Sequence, residues 1–164
     1  MKTLRRRRKE YRTDYAKRLK LLKSDKPRVT FRKTNRYIIS QYITSKEAQD
    51  TVHENVSSKI LMGYGWPNNM KGSLKSVPAS YLTGLLIGKT ILKKKDASPV
   101  CDIGMIKKIQ KNKFFAFLKG LKDAGIDISC DEKLFPEEDR IEGKNLKTDS
   151  SKIVEEVKSK IQNG

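Results

Sequence analysis

Residues 28–43 read RVTFRKTNRYIISQYI, and the rest of the chain is organised around this stretch. Two short apolar-rich runs flank the polar step RKTNR at 32–36. β-Branched and aromatic residues around a short polar connection that contains an Asn are typical of a β-hairpin. A turn does not need three cations, so we expect the hairpin to present a basic loop to a polyanion such as a phosphate backbone, through Arg32, Lys33 and Arg36.

The net charge says more about the class of binding partner than about the fold. The 164 residues are 36% apolar and 34% charged, with a net charge of +18, which suits one domain with tails. Such a charge points to nucleic acid or to an acidic membrane surface. Residues 1–36 carry a balance of +13 and residues 37–164 only +5. The N-terminal quarter is therefore the main candidate for contact with a polyanion.

The sequence lacks the features of a zinc site, a membrane-spanning segment and a secretory signal. With no CxxC pair and His53 as the only histidine, a zinc site is not expected. We interpret Cys101 and Cys130 as small buried hydrophobes in a reducing compartment. The most apolar segment, 81–92, is too short to span a bilayer, and no secretory signal is visible. We expect a soluble, cytosolic protein without metal or cofactor.

The first 23 residues are predicted to form a basic arm and a short helix. Residues 1–12, MKTLRRRRKEYR, cannot build a core, and we expect them to be disordered until a polyanion neutralises them. Thr13 or Asp14 suits a helix start. Tyr15, Leu19 and Leu22 then share one helical face, and lysines and an arginine occupy the other faces.

The remaining pattern alternates strands and helices. Their order, β-β-β-α-β-α-β-α, gives an α/β or α+β domain with a mixed sheet flanked by helices. We predict strands at 29–31, 37–43, 51–57, 100–103 and 126–130, and helices at 79–94, 114–121 and from Ser150 or Ser151 onward. We predict loops at 45–50, 63–76, 104–112 and 131–146.

Two glycines lie one turn apart in the helix predicted at 79–94. Gly84 and Gly88 each cost roughly 1 kcal/mol of helix propensity relative to Ala. We therefore expect a second backbone to pack closely against that face.

The sequence offers little catalytic chemistry. His53 has no neighbouring partner for a triad, so we interpret it as an exposed or sheet-edge residue. Asp102 ends a predicted strand before Gly104, where metal-dependent nucleases of the ribonuclease H-like type carry a carboxylate. A two-metal site needs several converging carboxylates, so capping of the strand-to-loop turn is the simpler role for Asp102.

The positive signal favours RNA. Cations can neutralise phosphates while the rings of Tyr11, Tyr15 and Tyr37 stack on bases or riboses. For the Arg run at 5–8, a localisation signal or a solvated tail stays open as an alternative. A membrane surface is disfavoured because the helix at 15–22 is short and its apolar face is narrow. Two further alternatives are a metal-dependent nuclease and a protein-interaction module acting through 114–121 or the C-terminal helix.

Seven segments, in order, resemble a known family. They are RRRRKEYRTDYAKRLKLLKS at 5–24, PRVTFRKTNRYIISQ at 27–41, YGW at 64–66, PASYLTGLLIGK at 78–89, CDIG at 101–104, FFAFLKGLKDAGIDI at 114–128 and FPEEDRIEGKNL at 135–146. Together they are similar to the archaeal branch of the large-subunit ribosomal protein L-eighteen family, called L-five in eukaryotic ribosomes, whose members bind 5S ribosomal RNA.

The resemblance implies a fold and a location. The fold is an α/β domain of ribonuclease H-like, translational-machinery topology without the active site, with a basic N-terminal extension and a C-terminal helical tail. We divide the chain into an RNA-binding arm at 1–26, a 5S rRNA-binding domain at 27–130 and a tail at 131–164. The implied protein is not an enzyme. It lies in the cytoplasm as a constituent of the large ribosomal subunit.

The resemblance also implies partners and contacts. The partners are 5S rRNA, anchored in the central protuberance, large-subunit rRNA and neighbouring 5S-binding ribosomal proteins. Asn35 and Gln41 are expected to hydrogen-bond sugars or base edges. The full set of expected RNA contacts is Arg5, Arg6, Arg7, Arg8, Lys9, Tyr11, Arg12, Tyr15, Lys17, Arg18, Lys20, Arg28, Arg32, Lys33, Asn35, Arg36, Tyr37, Gln41, Lys107, Lys108 and Lys111.

Overall fold

Four strands form one mixed sheet in the order β3-β2-β1-β4. A computed structural model describes residue 3 and residues 5–93, 98–145 and 150–163. Strands β1, β2 and β3 are antiparallel neighbours, and β4 lies parallel beside β1. This confirms an α/β fold with a mixed sheet flanked by helices. The strands are β1 (Arg28–Lys33), β2 (Ile38–Lys46), β3 (Gln49–Ser57) and β4 (Val100–Asp102).

The predicted first hairpin is confirmed, but its turn is shorter than predicted. Pairing continues to Lys33 opposite Ile38, so only residues 34–37 form the turn. The backbone N–H of Thr34 donates to the carbonyl of Tyr37 at 2.8 Å and closes it. Arg32 and Lys33 therefore belong to β1, where successive side chains point to opposite faces of the sheet.

The loop predicted at 45–50 is wrong, because β2 and β3 continue through most of it. Only Glu47 and Ala48 connect the two strands, with φ of 51° and 65°. Positive φ at both central residues is the geometry of a tight type I′ hairpin turn. The sequence signal is missing because neither residue is the Gly or Asn that favours such a turn.

The last predicted strand, 126–130, is also wrong. After α4 (Lys113–Asp123), Gly125 adopts a φ of +102° and the N–H of Ile126 donates to the carbonyl of Leu121. The segment then runs without a ladder, tied to the chain before β4 by a bond from the hydroxyl of Ser98 to the carbonyl of Asp127 at 2.7 Å. Within the described part of the chain, β4 is thus an edge strand.

Helices account for much of the remaining chain. The predicted loops at 63–76 and 131–146 contain short helical turns, and the predicted ends Lys94 and Leu146 lie outside the described residues. None of the helices in the described ranges is long and apolar enough to cross a membrane. Besides α4, the helices are α1 (Arg6–Lys9), α2 (Tyr15–Lys23), α3 (Val77–Lys93), α5 (Glu138–Glu142) and α6 (Ser151–Asn163), with 3₁₀ helices at Ser58–Met62, Asn68–Ser73 and Glu132–Leu134.

Helices α3 and α4 pack backbone to backbone, which confirms the role expected for the glycines. A Cβ on Gly84 would lie 2.2 Å from the carbonyl oxygen of Phe117. A Cβ on Gly120 would lie 2.1 Å from the carbonyl oxygen of Tyr81. Side chains at these positions would push the two helices apart.

Different helices pack against the two faces of the sheet. Val29 and Phe31 point into the main core, where α3 and α4 cover them. Arg28, Thr30 and Arg32 alternate with them and point to the other face, which lies against α2. The first hairpin therefore supplies side chains to two separate surfaces.

The apolar faces proposed for protein interaction are used inside the fold. Phe114, Phe117 and Leu121 of α4 are buried in the main core. Val154, Val157 and Ile161 of α6 are buried in a second cluster that includes side chains of α3. Neither face is available to a partner in this arrangement.

Candidate nucleic-acid interface

The N-terminal segment is more ordered than predicted. Asp14 caps α2 by accepting from the N–H groups of Ala16 and Lys17, as the sequence indicates. Upstream, α1 and a following turn replace the expected disordered chain. The side chain of Arg7 donates to Thr13 at 3.0 Å, and the N–H of Arg12 donates to the carbonyl of Arg7. These bonds fold the basic arm back toward α2.

Acidic side chains in and beside the arm offset the mutual repulsion of its arginines. Glu10 lies within 3.6 Å of Arg6 and 3.4 Å of Arg12, and Asp14 lies 4.0 Å from Arg8. All these pairs are exposed, so each contributes about 0–1 kcal/mol. They leave the arginines accessible to a stronger anion.

The tyrosines of the arm differ in accessibility. Tyr11 is 81% exposed and free to stack on a base. Tyr15 is half-buried, and the guanidinium of Arg5 lies 4.9 Å from its ring centroid, so one face is already covered. Two lysines of the predicted contact set, Lys9 after the arginine run and Lys20 of α2, are exposed.

A cleft of about 360 Å³ lies between the arm, α2 and the outer face of the sheet. Cations from distant parts of the chain converge there. Two aspartates, Asp14 and Asp102, lie among them. We call it the arm cleft, and its predicted RNA contacts are Arg7, Arg12, Tyr15, Lys17, Arg18 and Arg32.

Arg32 is held at the edge of this cleft by Asp102. Its guanidinium donates to the Asp102 carboxylate at 2.8 Å and to the Asp102 carbonyl at 2.9 Å. The other carboxylate oxygen accepts from the N–H of Gly104 at 2.8 Å, so Asp102 does cap the strand-to-loop turn. Burial alone would raise the pKa of Asp102, but the bonds from Gly104 and Arg32 hold it below its usual value.

Lys17 joins α2 to the loop after β4. Its ammonium donates to the carbonyl of Gly104 at 3.2 Å. Burial lowers the pKa of Lys17, and the nearby positive charges of Lys108 and Arg32 lower it further, against Asp102. Gly104 also lines the arm cleft, so the basic loop that begins there and contains Lys108 adjoins the cleft.

Arg28 is a correction to the predicted contact set. Its side chain is only 2% exposed, and its guanidinium donates to Asp50 at 2.6 Å and to Ser45 at 2.7 Å. Asp50 also binds Arg18 of α2 at 2.9 Å. Burial would raise the pKa of Asp50, but the Ser45 bond and the two arginines keep it low. Arg28 thus joins β1 to α2 and has no surface to offer a phosphate.

The residues predicted to contact RNA at and beside the hairpin tip differ in exposure. Asn35 and Arg36 are exposed at the end of the hairpin. Tyr37 is half-buried against the second apolar cluster, which leaves only part of its ring accessible. Gln41 is half-buried on the outer face, paired with Thr30 across the ladder.

The other predicted contacts lie away from the arm cleft. Lys33 and Lys107 line a different cleft, on the core side of the hairpin. Lys111 is exposed but binds Glu137 at 2.6 Å. That cleft also contains Lys113 and Arg140, which sequence reasoning missed because only the fold brings them to Lys33.

The residues considered for catalysis have other uses. His53 is exposed on the edge strand β3, and its ring lies 2.7 Å from the hydroxyl of Thr44. Both Asp102 carboxylate oxygens are occupied by Gly104 and Arg32. Across the described ranges, no group of three or more His, Cys, Asp or Glu side chains is arranged to hold a metal ion.

Comparison with known proteins gives one consistent result. A family model described as "Ribosomal large subunit proteins 60S L5, and 50S L18" matches residues 1–101. The chain is 44% identical to "Large ribosomal subunit protein uL18" of Korarchaeum cryptofilum, over 92% of this chain and 75% of that protein. It is 39% identical to the protein of the same name in Methanospirillum hungatei (86% and 78%) and 38% identical to that in Methanoregula boonei (94% and 86%). The chain therefore belongs to the family of large-subunit ribosomal proteins described as 60S L5 and 50S L18, and is of the archaeal uL18 type.

Proposed function

We propose that the protein is a structural constituent of the large ribosomal subunit that binds 5S rRNA and helps to anchor it in the central protuberance. Because the chain belongs to a family of large-subunit ribosomal proteins, its location is the large ribosomal subunit in the cytoplasm. Large-subunit rRNA and neighbouring 5S-binding ribosomal proteins are its further proposed partners. Its role is not enzymatic and uses no cofactor, and its topology is of the ribonuclease H-like type.

One observation carries the proposal: cations scattered through the sequence meet around the first hairpin. The arm and α2 bring their arginines and lysines to the arm cleft, and Arg32 joins them from the sheet. Lys108 lies beside Lys17 at its margin, and Arg36 is exposed at the hairpin tip. A contiguous basic surface of this kind is the electrostatic footprint of a nucleic-acid-binding protein.

The residues divide the work of binding. Arginines and lysines of the arm cleft neutralise phosphates, which supplies most of the affinity. Asn35 at the tip and Gln41 on the outer face hydrogen-bond sugars or base edges, and Tyr11 stacks. The arm at 1–26 carries charge, the domain at 27–130 fixes the geometry, and the segment at 131–164 supports the domain.

The hairpin tip gives the sharpest test. Full-length protein carrying Asn35→Ala and Arg36→Ala is compared with wild type in a filter-binding titration against 5S rRNA. The matched control is Lys46→Ala with Gln49→Ala, which removes one cation and one amide at the opposite end of β2, where both residues are exposed.

We expect the tip variant to bind roughly tenfold more weakly at 0.1 M salt, because one lost phosphate contact alone costs roughly five- to eightfold there. The control should stay within about twofold of wild type. Equal losses in both variants would place the contact elsewhere. No preference of the wild type for 5S rRNA over an unrelated RNA of equal length would refute the proposed function itself.

A further inference from the structure

A second basic cleft lies on the core side of the first hairpin, opposite the arm cleft. Its volume is about 390 Å³, within the usual range of small-ligand sites. Lys33 reaches it because it alternates with Arg32 along β1. Lys113 at the start of α4, Lys107 and Arg140 line the same space. We call it the lysine cleft.

The floor of the lysine cleft is apolar. Ile109 stands out because it is 63% exposed, although it is a large aliphatic side chain beside a buried core. An exposed apolar patch rimmed by polar groups commonly marks an interaction site. The apolar lining residues are Phe31, Val77, Ile106, Ile109 and Phe114.

The positive charges of this cleft repel each other. Burial lowers the pKa of Lys113, and the positive charges of Lys33 and Lys75 lower it further. Among the described residues, none that lines the cleft is acidic. The arm cleft, by contrast, contains Asp14 and Asp102. The described lining of the lysine cleft therefore offers no carboxylate to offset these charges, which favours the binding of an external anion.

We propose that the lysine cleft binds one unstacked nucleotide of the RNA, with its base against Ile109 and its flanking phosphates on Lys33, Lys107 and Lys113. This inference rests on the proposed function and adds a second RNA surface to it. A nucleotide combines a flat base with charges on both sides, and single-stranded RNA is recognised through bases that leave the stack. The position also favours RNA, because Lys33 directly precedes the turn that carries Asn35 and Arg36.

Two variants separate the ionic and apolar parts of the site. Lys107→Gln with Lys113→Gln removes two cations that line the cleft, and Lys46→Gln with Lys152→Gln is the control at exposed positions outside the cleft. Ile109→Ser removes the apolar contact, and Val52→Ser is the control at another exposed aliphatic residue, 47% exposed on β3. The affinity of each full-length protein for 5S rRNA is measured from 0.1 to 0.5 M salt, with circular dichroism to verify folding.

The double lysine variant should bind roughly 25-fold more weakly at 0.1 M salt, with a slope of log affinity against log salt that is shallower by about 1.4–1.8. The Ile109→Ser variant should lose roughly three- to tenfold with an unchanged slope, because the lost contact is apolar. Both controls should resemble wild type.

Two results would overturn the inference. One is that both cleft variants bind 5S rRNA like their controls while the wild type binds it well. The other is that a synthetic acidic peptide with a central Leu protects the wild-type cleft from lysine acetylation and 5S rRNA does not, which would assign the cleft to a protein. Failure of the wild type to bind 5S rRNA would count against the proposed function instead.

Discussion

The two clefts beside the first hairpin are both basic, but they balance their charge differently. In the arm cleft Asp102 holds Arg32 at 2.8 Å, and beside it Asp50 holds Arg28 and Arg18. In the lysine cleft, no lining residue that the structure describes is acidic. The difference teaches that a buried cation with an acidic partner, such as Arg28, fixes the fold, whereas cations in a cleft whose described lining offers no carboxylate are left for a ligand.

The largest effect should come from the most buried cation. Arg28→Ala should lower the free energy of unfolding by about 2 kcal/mol, because it removes a buried side chain together with its bonds to Ser45 and to the more exposed Asp50. Arg18→Ala removes the other arginine from Asp50, but this side chain is 37% exposed, so its cost should be about 1 kcal/mol or less. Urea denaturation measures both, and equal costs would show that burial does not separate the two arginines.

The next effect concerns Asp102 and carries a pH signature. Burial opposes ionisation, but the bonds from Gly104 and Arg32 keep its folded pKa below the unfolded value of about 3.9. Its stabilisation is therefore complete above that pH and is lost as the pH falls through the folded pKa. Asp102→Asn should cost about 1–2 kcal/mol at pH 7.

The pH series supplies the control for Asp102→Asn. The gap in unfolding free energy between wild type and variant should narrow below about pH 4, where the wild-type carboxylate becomes protonated. A gap that is the same at pH 7 and pH 3 would mean that shape, and not charge, holds Arg32.

The smallest effect should have the opposite sign. Lys113→Gln should leave stability unchanged or raise it by roughly 0.5 kcal/mol in the absence of RNA, because it removes repulsion with Lys33 and Lys75. Adding salt should reduce this gain by screening. Thermal unfolding at low and high salt measures the change in stability. A clear destabilisation by Lys113→Gln would contradict the view that the cations of the lysine cleft, unlike those of the arm cleft, repel each other.

The sequence was informative where local chemistry decides the structure. Alternating β-branched and aromatic residues predicted the first hairpin, and Thr13 and Asp14 predicted the start of α2, where Asp14 is the cap. Gly84 and Gly88 indicated a close helix packing, which α4 supplies through Gly120. In each case the deciding interaction lies within one element or follows from the absence of a side chain.

The sequence was least informative where distant residues decide. Nothing local shows that Arg28 is buried, because its partner Asp50 lies beyond the next strand and α2 closes over both. The grouping of Lys33, Lys107 and Lys113 in one cleft depends on how α4 meets β1. The strand predicted at 126–130 has the right residues but is held by the end of α4 and not by β4.

The most direct test of the central claim is the salt dependence of binding to 5S rRNA, with an unrelated structured RNA of the same length as competitor. Wild-type full-length protein should prefer 5S rRNA, and log affinity should fall linearly with log salt, at a slope of about −0.7 to −0.9 per phosphate neutralised. An affinity that is insensitive to salt, or equal for the two RNAs, would contradict the claim that this basic surface binds 5S rRNA.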